Sequence, residues 1–251
     1  MKDNKSGCPG RIVSSIPEGL AYVAEVGLPV LIKPAFAVGD NPRGVAITIE
    51  EFTNRLDRAI ECSMTNEVCI ERVPSEIEAY LAEAARIAVT IYEHEDQIAR
   101  IVEEFKTCVH KEGTVYGAGN GGSASQISHF LGELYGINFQ CPIMSLPDLV
   151  PGLTAVANDD HYDNVYSNYL SRVLKTKDLL VAFTTSGKSK NVVNALSVAK
   201  EHKATSILIT GKHAPDLPAT INIRINSDMT EHIQEATLII LHVVYRALKG
   251  G

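Results

Sequence analysis

The chain has 251 residues, 45% of them hydrophobic, five cysteines and a formal net charge of −7. That length exceeds the roughly 100–150 residues of a typical domain, which predicts one main domain with a smaller unit beside it. The acidic balance opposes a nucleic-acid partner; no apolar run approaches the ~20 residues of a membrane span; and a polar start (MKDNKSGCPGR) with cysteines at no framework spacing reads as a cytoplasmic protein in a reducing compartment.

Residues 1–15 read as a mobile tail. From Ile16 to Arg72 the pattern is helix (PEGLAYVAEVG), strand (PVLIKPAF), a turn-rich link (AVGDNPRG), strand (VAITI), helix (EEFTNRLDRAIECS) and strand (EVCIER), a small α+β unit. Pro74 ends it, and Ser75 with Glu78 forms a capping box ahead of a long periodic stretch that predicts two helices parting near Glu93–Glu95. After Gly113 the short apolar strands TVYGAG, PIMSL, LLVAFTT, SILIT and INIRIN alternate with amphipathic helices. That alternation predicts an α/β fold, a parallel sheet covered on both faces by helices. The domain boundary falls at 74/75.

TVYGAG feeds the helix SASQISHFLGELYG through Asn120, Gly121, Gly122 and Ser123, at the carboxyl end of a strand where open α/β sheets bind ligands. Glycines there let backbone N–H groups approach an anion, and the following helix start adds roughly half a positive charge. A lone glycine-rich bend is more often a plain turn. A second loop repeats the device: LLVAFTT runs into Thr184, Thr185, Ser186, Gly187 and Ser189 before NVVNALSVAK. Two such loops imply a phosphorylated ligand, held by local donors because the global charge is negative.

One turn further, His129 and Glu133 lie about 40° apart on one helix face. As an isolated pair they suit a surface cap or salt bridge better than catalysis. On the last helix, TEHIQEATLIILHVVYRAL, Gln234 and His242 lie about 80° apart in an apolar setting, and buried polar groups keep partners. The four together suit either a zinc site or an acid/base pair.

Residues from about 75 to 249 resemble the phosphoheptose isomerases of the sugar isomerase (SIS) family, through GNGGSASQISHFLGEL, TAVANDDHYDNVYSNYL, TTSGKSKNVVNAL and EHIQEATLIILH in order and spacing. The resemblance implies a SIS-type three-layer αβα fold and a homotetramer with sites between subunits. It implies conversion of sedoheptulose 7-phosphate to D-glycero-D-manno-heptose 7-phosphate through an enediol. By motif, Ser123, Thr184, Thr185, Ser186 and Ser189 would hold the phosphate beside Gly121 and Gly122, with Asn120, Asp159 and Gln234 on the substrate. His129, Glu133, Gln234 and His242 match the family's zinc positions, and Glu133 and His242 its base and acid. Ile137, Asp160, His161 and Lys188 depart from the usual pattern. The rival reading is a non-catalytic SIS module binding a sugar phosphate or a protein.

The front segment, PVLIKPAFAVGDNPRGVAI within Glu18–Glu71, resembles part of the ATP-grasp fold of carbamoyl phosphate synthetase. Nothing in the chain supplies that fold's second, magnesium-binding lobe, so Lys33 is expected to be a structural remnant.

Overall fold

The computed structural model describes residues 10–35, 43–74, 76–137 and 139–250. It divides into two compact units, Met1–Ala82 and Glu83–Gly251.

In the first unit, β1 (Arg11–Val13), β2 (Val30–Pro34), β3 (Gly44–Ala46) and β4 (Val68–Arg72) form an antiparallel sheet in the order β1-β4-β2-β3. Helices α1 (Ile16–Val26) and α2 (Ile49–Cys62) cover it, burying Val23, Phe52 and Leu56 on Val30, Ile32 and Ile70. β1 corrects the reading of 1–15 as a tail: Arg11, Ile12 and Val13 pair with Ile70, Cys69 and Val68, and Val13 is 2% exposed. The strand expected over VAITI is also shorter. Thr48 accepts a hydrogen bond from the N–H of Glu51 and Glu51 reaches back to the N–H of Ile47, so α2 begins at Ile49 despite the β-branched run. The link at 36–42, residues 1–9, Ser75 and the Glu78 side chain lie outside the described residues, and the expected capping box with them. Cys69 is disulfide-bonded, which the cysteine spacing does not foresee, whereas Cys62, Cys108 and Cys141 are free.

Helix α3 (Glu76–Thr90) gives way at a 3₁₀ turn, Ile91–His94, to α4 (Glu95–His110), close to the expected parting. The second unit is then an alternation: β5 (Val115–Ala118), α5 (Gly122–Gly136), β6 (Ile143–Ser145), α6 (Val150–Asp159), α7 (Ser167–Val173), β7 (Leu179–Thr184), α8 (Lys190–Glu201), β8 (Thr205–Gly211), β9 (Ile221–Ile225) and α9 (Thr230–Gly250). All five strands run parallel in the order β6-β5-β7-β8-β9. Period-two side-chain alternation sends Val115, Val181, Phe183, Ile207 and Ile223 to one face, under α4, α5 and α9, and Tyr116, Leu180, Ala182 and Leu208 to the other, under α7 and α8. Phe105 and Phe130 meet edge to face at 5.7 Å in the first layer.

This order fixes the site. The chain leaves β5 through α5 to β6 on one side and reaches β7 on the other, so the loops after β5 and β7 diverge from neighbouring strand ends. That is the switch point at which a crevice opens in such sheets. Two glycines shape this bend, one by close packing and one by its backbone angle. A Cβ on Gly117 would sit 2.3 Å from Ile127 Cγ2, and Gly121, the residue before α5, has φ +53°. Among the described residues no helix is long and apolar enough to cross a membrane.

Candidate active site

The first loop runs from Gly119 to Ser123. The Ser123 N–H bonds the Asn120 carbonyl at 3.0 Å and starts α5, and the Ser123 side chain is 5% exposed. α9 packs against Gly122: a Cβ there would lie 2.5 Å from Nε2 of Gln234. In the second loop the Thr184 hydroxyl donates to Ser189 Oγ at 3.2 Å, Ser186 Oγ accepts from the Lys188 N–H, and Gly187 takes φ +67°. Gly211 N–H holds the Thr185 carbonyl at 2.9 Å. Lys188 is exposed and shares a cleft with Thr185, Ser186, Lys212 and Asp228. Lys212 pairs with Asp228 and holds its carboxyl below the usual carboxylate range.

The two loops are joined directly. Asn120 and Asn191, the latter in the first turn of α8, exchange carboxamide hydrogen bonds of 2.9 and 2.8 Å. Tyr162 donates to Asn120 Oδ1 at 3.0 Å, and the Tyr166 hydroxyl donates to the Gly119 carbonyl. Burial pushes the Tyr166 phenol up, which keeps it protonated for that role. Sequence reasoning passed over Asn191, Tyr162 and Tyr166. Their partners are remote in sequence, 71 residues away for Asn120 and Asn191, and α8 carries other polar residues that make one more carboxamide unremarkable.

His129 and Glu133 do share a face of α5, and α9 brings His242 to them. Glu133 Oε2 lies 3.7 Å from His129 Nε2 and Oε1 3.7 Å from His242 Nε2; the two rings stand 5.8 Å apart at 79°. One ligand atom from each of the three falls within 4.8 Å of the others. Glu133 Oε2 is buried without a hydrogen-bond partner, a costly state for a carboxylate that a cation would relieve. Two imidazoles and a carboxylate are donors zinc accepts, so the residues fit a divalent ion. Gln234 is placed differently: its amide lies against Gly122, two helical turns before His129 on α5. On the same stripe, Gln126 donates to the Gln234 carbonyl at 2.6 Å.

Asp159 closes α6, accepts from Asn158 at 2.8 Å, and lines a cavity of ≈ 460 Å³ with Leu146, Val156 and Arg172. The unusual pair beyond it builds a turn. Asp160 accepts from Asn164 at 2.8 Å and His161 Nδ1 from the Asp163 N–H at 3.2 Å, and that turn delivers Tyr162 to Asn120. In the first unit Lys33 Nζ is engaged by both oxygens of Glu71, at 2.6 and 2.7 Å.

Residues 79–211 match the SIS domain family, and residues 3–109 match the family of the carbamoyl-phosphate synthase L chain, ATP binding domain. The chain is 35% identical over 179 residues to a phosphoheptose isomerase of Sulfurimonas denitrificans, covering 67% of this chain and 91% of that one. It is 30% identical over 171 residues to a probable phosphoheptose isomerase of Thermoplasma acidophilum, covering 66% and 93%. Among solved structures, the phosphoheptose isomerase of Neisseria gonorrhoeae superposes with a TM-score of 0.64 at 26% identity, over 70% of this chain and 97% of that one.

Proposed function

We propose that this chain, which belongs to the phosphoheptose isomerases of the SIS-domain family, interconverts sedoheptulose 7-phosphate and D-glycero-D-manno-heptose 7-phosphate. The observation that carries the reading is the placement of Glu133 between two histidines on the helix that the first loop opens.

Ser123 and the hydroxyls of Thr184, Thr185, Ser186 and Ser189 hold the phosphate, with the backbone N–H groups of Gly121 and Gly122 at the start of α5. Asn120, Asp159 and Gln234 bind the sugar. Anchoring the phosphate converts proton transfer into an event within one complex, where orientation lowers the barrier. Glu133 removes a proton from C1 of the ketose as the C1–C2 double bond of the enediol forms, and returns it to C2 as the aldehyde forms. His242 moves the hydroxyl proton between O1 and O2, so that nothing is gained or lost in sum. His129, Glu133 and His242 would hold zinc, which would supply a Lewis acid for the carbonyl oxygen; Gln234, its amide against Gly122, stands apart from these three.

His129 and His242 are 53% and 46% exposed within one chain, and Tyr135, Ile239 and Val243 on the same helices are exposed apolar side chains. This surface supports association of copies that cover the site, for which we propose a homotetramer in the cytoplasm. Incubation with sedoheptulose 7-phosphate and NMR of the products tests the assignment: the aldose phosphate must appear, and an unchanged ketose would refute it.

A further inference from the structure

Asn191 is 2% exposed, and a buried carboxamide keeps its place by filling its hydrogen bonds. Its Oδ1 accepts from the Val192 N–H at 3.0 Å and from Asn120 Nδ2 at 2.9 Å, while its Nδ2 donates to Asn120 Oδ1 at 2.8 Å. Two amides paired reciprocally are indifferent to both turning over, because donors and acceptors only change places. The Val192 N–H, shared with the Ser189 carbonyl at 3.0 Å, breaks that symmetry. A backbone N–H can only donate, so Asn191 must meet it with oxygen, and Asn120 must then meet Asn191 in the one matching orientation.

The rest of Asn120 follows by counting. Its oxygen has two lone pairs, filled by the Asn191 amide and the Tyr162 hydroxyl at 3.0 Å. The Tyr166 hydroxyl, 3.4 Å away, spends its single proton on the Gly119 carbonyl. One Asn120 N–H goes to Asn191. The second N–H has no partner among these groups, on a half-buried residue at the carboxyl end of β5.

We propose that Asn191 is a positioning residue of the isomerase site: acting through Asn120, it fixes that carboxamide so that an N–H is presented to the bound sugar. The site is thereby matched to a carbonyl or hydroxyl oxygen, an acceptor, and mismatched to a protonated amine at the same carbon. The role builds on the isomerase reading, since it takes Asn120 as a sugar contact.

The test is calorimetric binding to the full-length protein, with sedoheptulose 7-phosphate and inorganic phosphate as separate probes, in Asn120→Ala, Asn191→Ala and the double variant. Asn191→Ala is expected to weaken sugar phosphate binding about ten-fold, the scale of one lost hydrogen bond, with phosphate binding little changed. The double variant should bind no more weakly than Asn120→Ala alone, because residues that act through one another are not additive. Losses that multiply, or phosphate binding that falls in step with sugar binding, would overturn the proposal and make Asn191 a general support of the second loop. Asn191→Asp, which keeps the shape and the acceptor for Val192 but cannot donate to Asn120, is read the same way should the alanine variant not fold. Turnover by the unaltered protein separates the two readings. A protein that binds the sugar phosphate without converting it refutes the isomerase assignment and leaves the binding test of Asn191 standing.

Discussion

His129 and His242 come from different helices and stand with their rings 5.8 Å apart at 79°, one on each side of the Glu133 carboxylate. Parallel packing on one core layer brings α5 and α9 together, so the sheet order is what turns two remote imidazoles into a pair. The cluster predicts zinc in protein purified without chelator. Elemental analysis should show stoichiometric metal, and His129→Ala or His242→Ala should lose it. Trace metal in a fully active preparation would remove the zinc and leave the acid–base roles.

A shortened chain beginning at Pro74 is expected to fold and keep isomerase activity. It retains all of α3, and every proposed site residue lies in the second compact unit. A folded, correctly assembled but inactive product would show that the first unit contributes to the site.

Gly187→Ala should be clearly destabilising. The residue has φ +67°, and a Cβ would lie 2.7 Å from Ala214 Cβ and 2.8 Å from Pro215 Cδ, so backbone strain and overpacking act together at about 1–3 kcal/mol each. A urea midpoint unchanged from the parent would contradict the loop geometry.

Cys108 and Cys141 should differ in reactivity. Cys108 is 3% exposed and Cys141 only half-buried; the neighbouring Cys108 thiol holds Cys141 below the ordinary thiol range, while Cys141 and then burial push Cys108 far up. Iodoacetamide at mildly alkaline pH should label Cys141 first, as read by peptide mass spectrometry. Equal labelling would refute the pairing.

Much of this was legible before any coordinates. Short continuous apolar runs such as LLVAFTT, bounded by turn residues and buried along the whole length of β7, suit a parallel sheet covered on both faces, and α5 follows its glycine loop as the motif requires. The weaker elements were lost for identifiable reasons. β1 is only three residues and exists because β4 offers it an edge, and α6 buries none of its residues, so neither carries a periodic signature. His129, Glu133 and His242 could be named from the chain, but their meeting required the order of the sheet. Asn191 was missed because its meaning lies in partners far away in sequence, and Gln234 shows the converse, a named residue whose amide sits against Gly122.

The central claim is that Glu133 moves the proton between C1 and C2. Exchange of the reacting C–H of sedoheptulose 7-phosphate in deuterated water, followed by NMR, reports that step directly. Glu133→Gln keeps size and hydrogen bonding but cannot take the proton, so exchange should fall by about 10²- to 10⁴-fold while inorganic phosphate still binds at Ser123 and the Thr184–Ser189 loop. Exchange by Glu133→Gln at the rate of the unaltered protein would contradict the account.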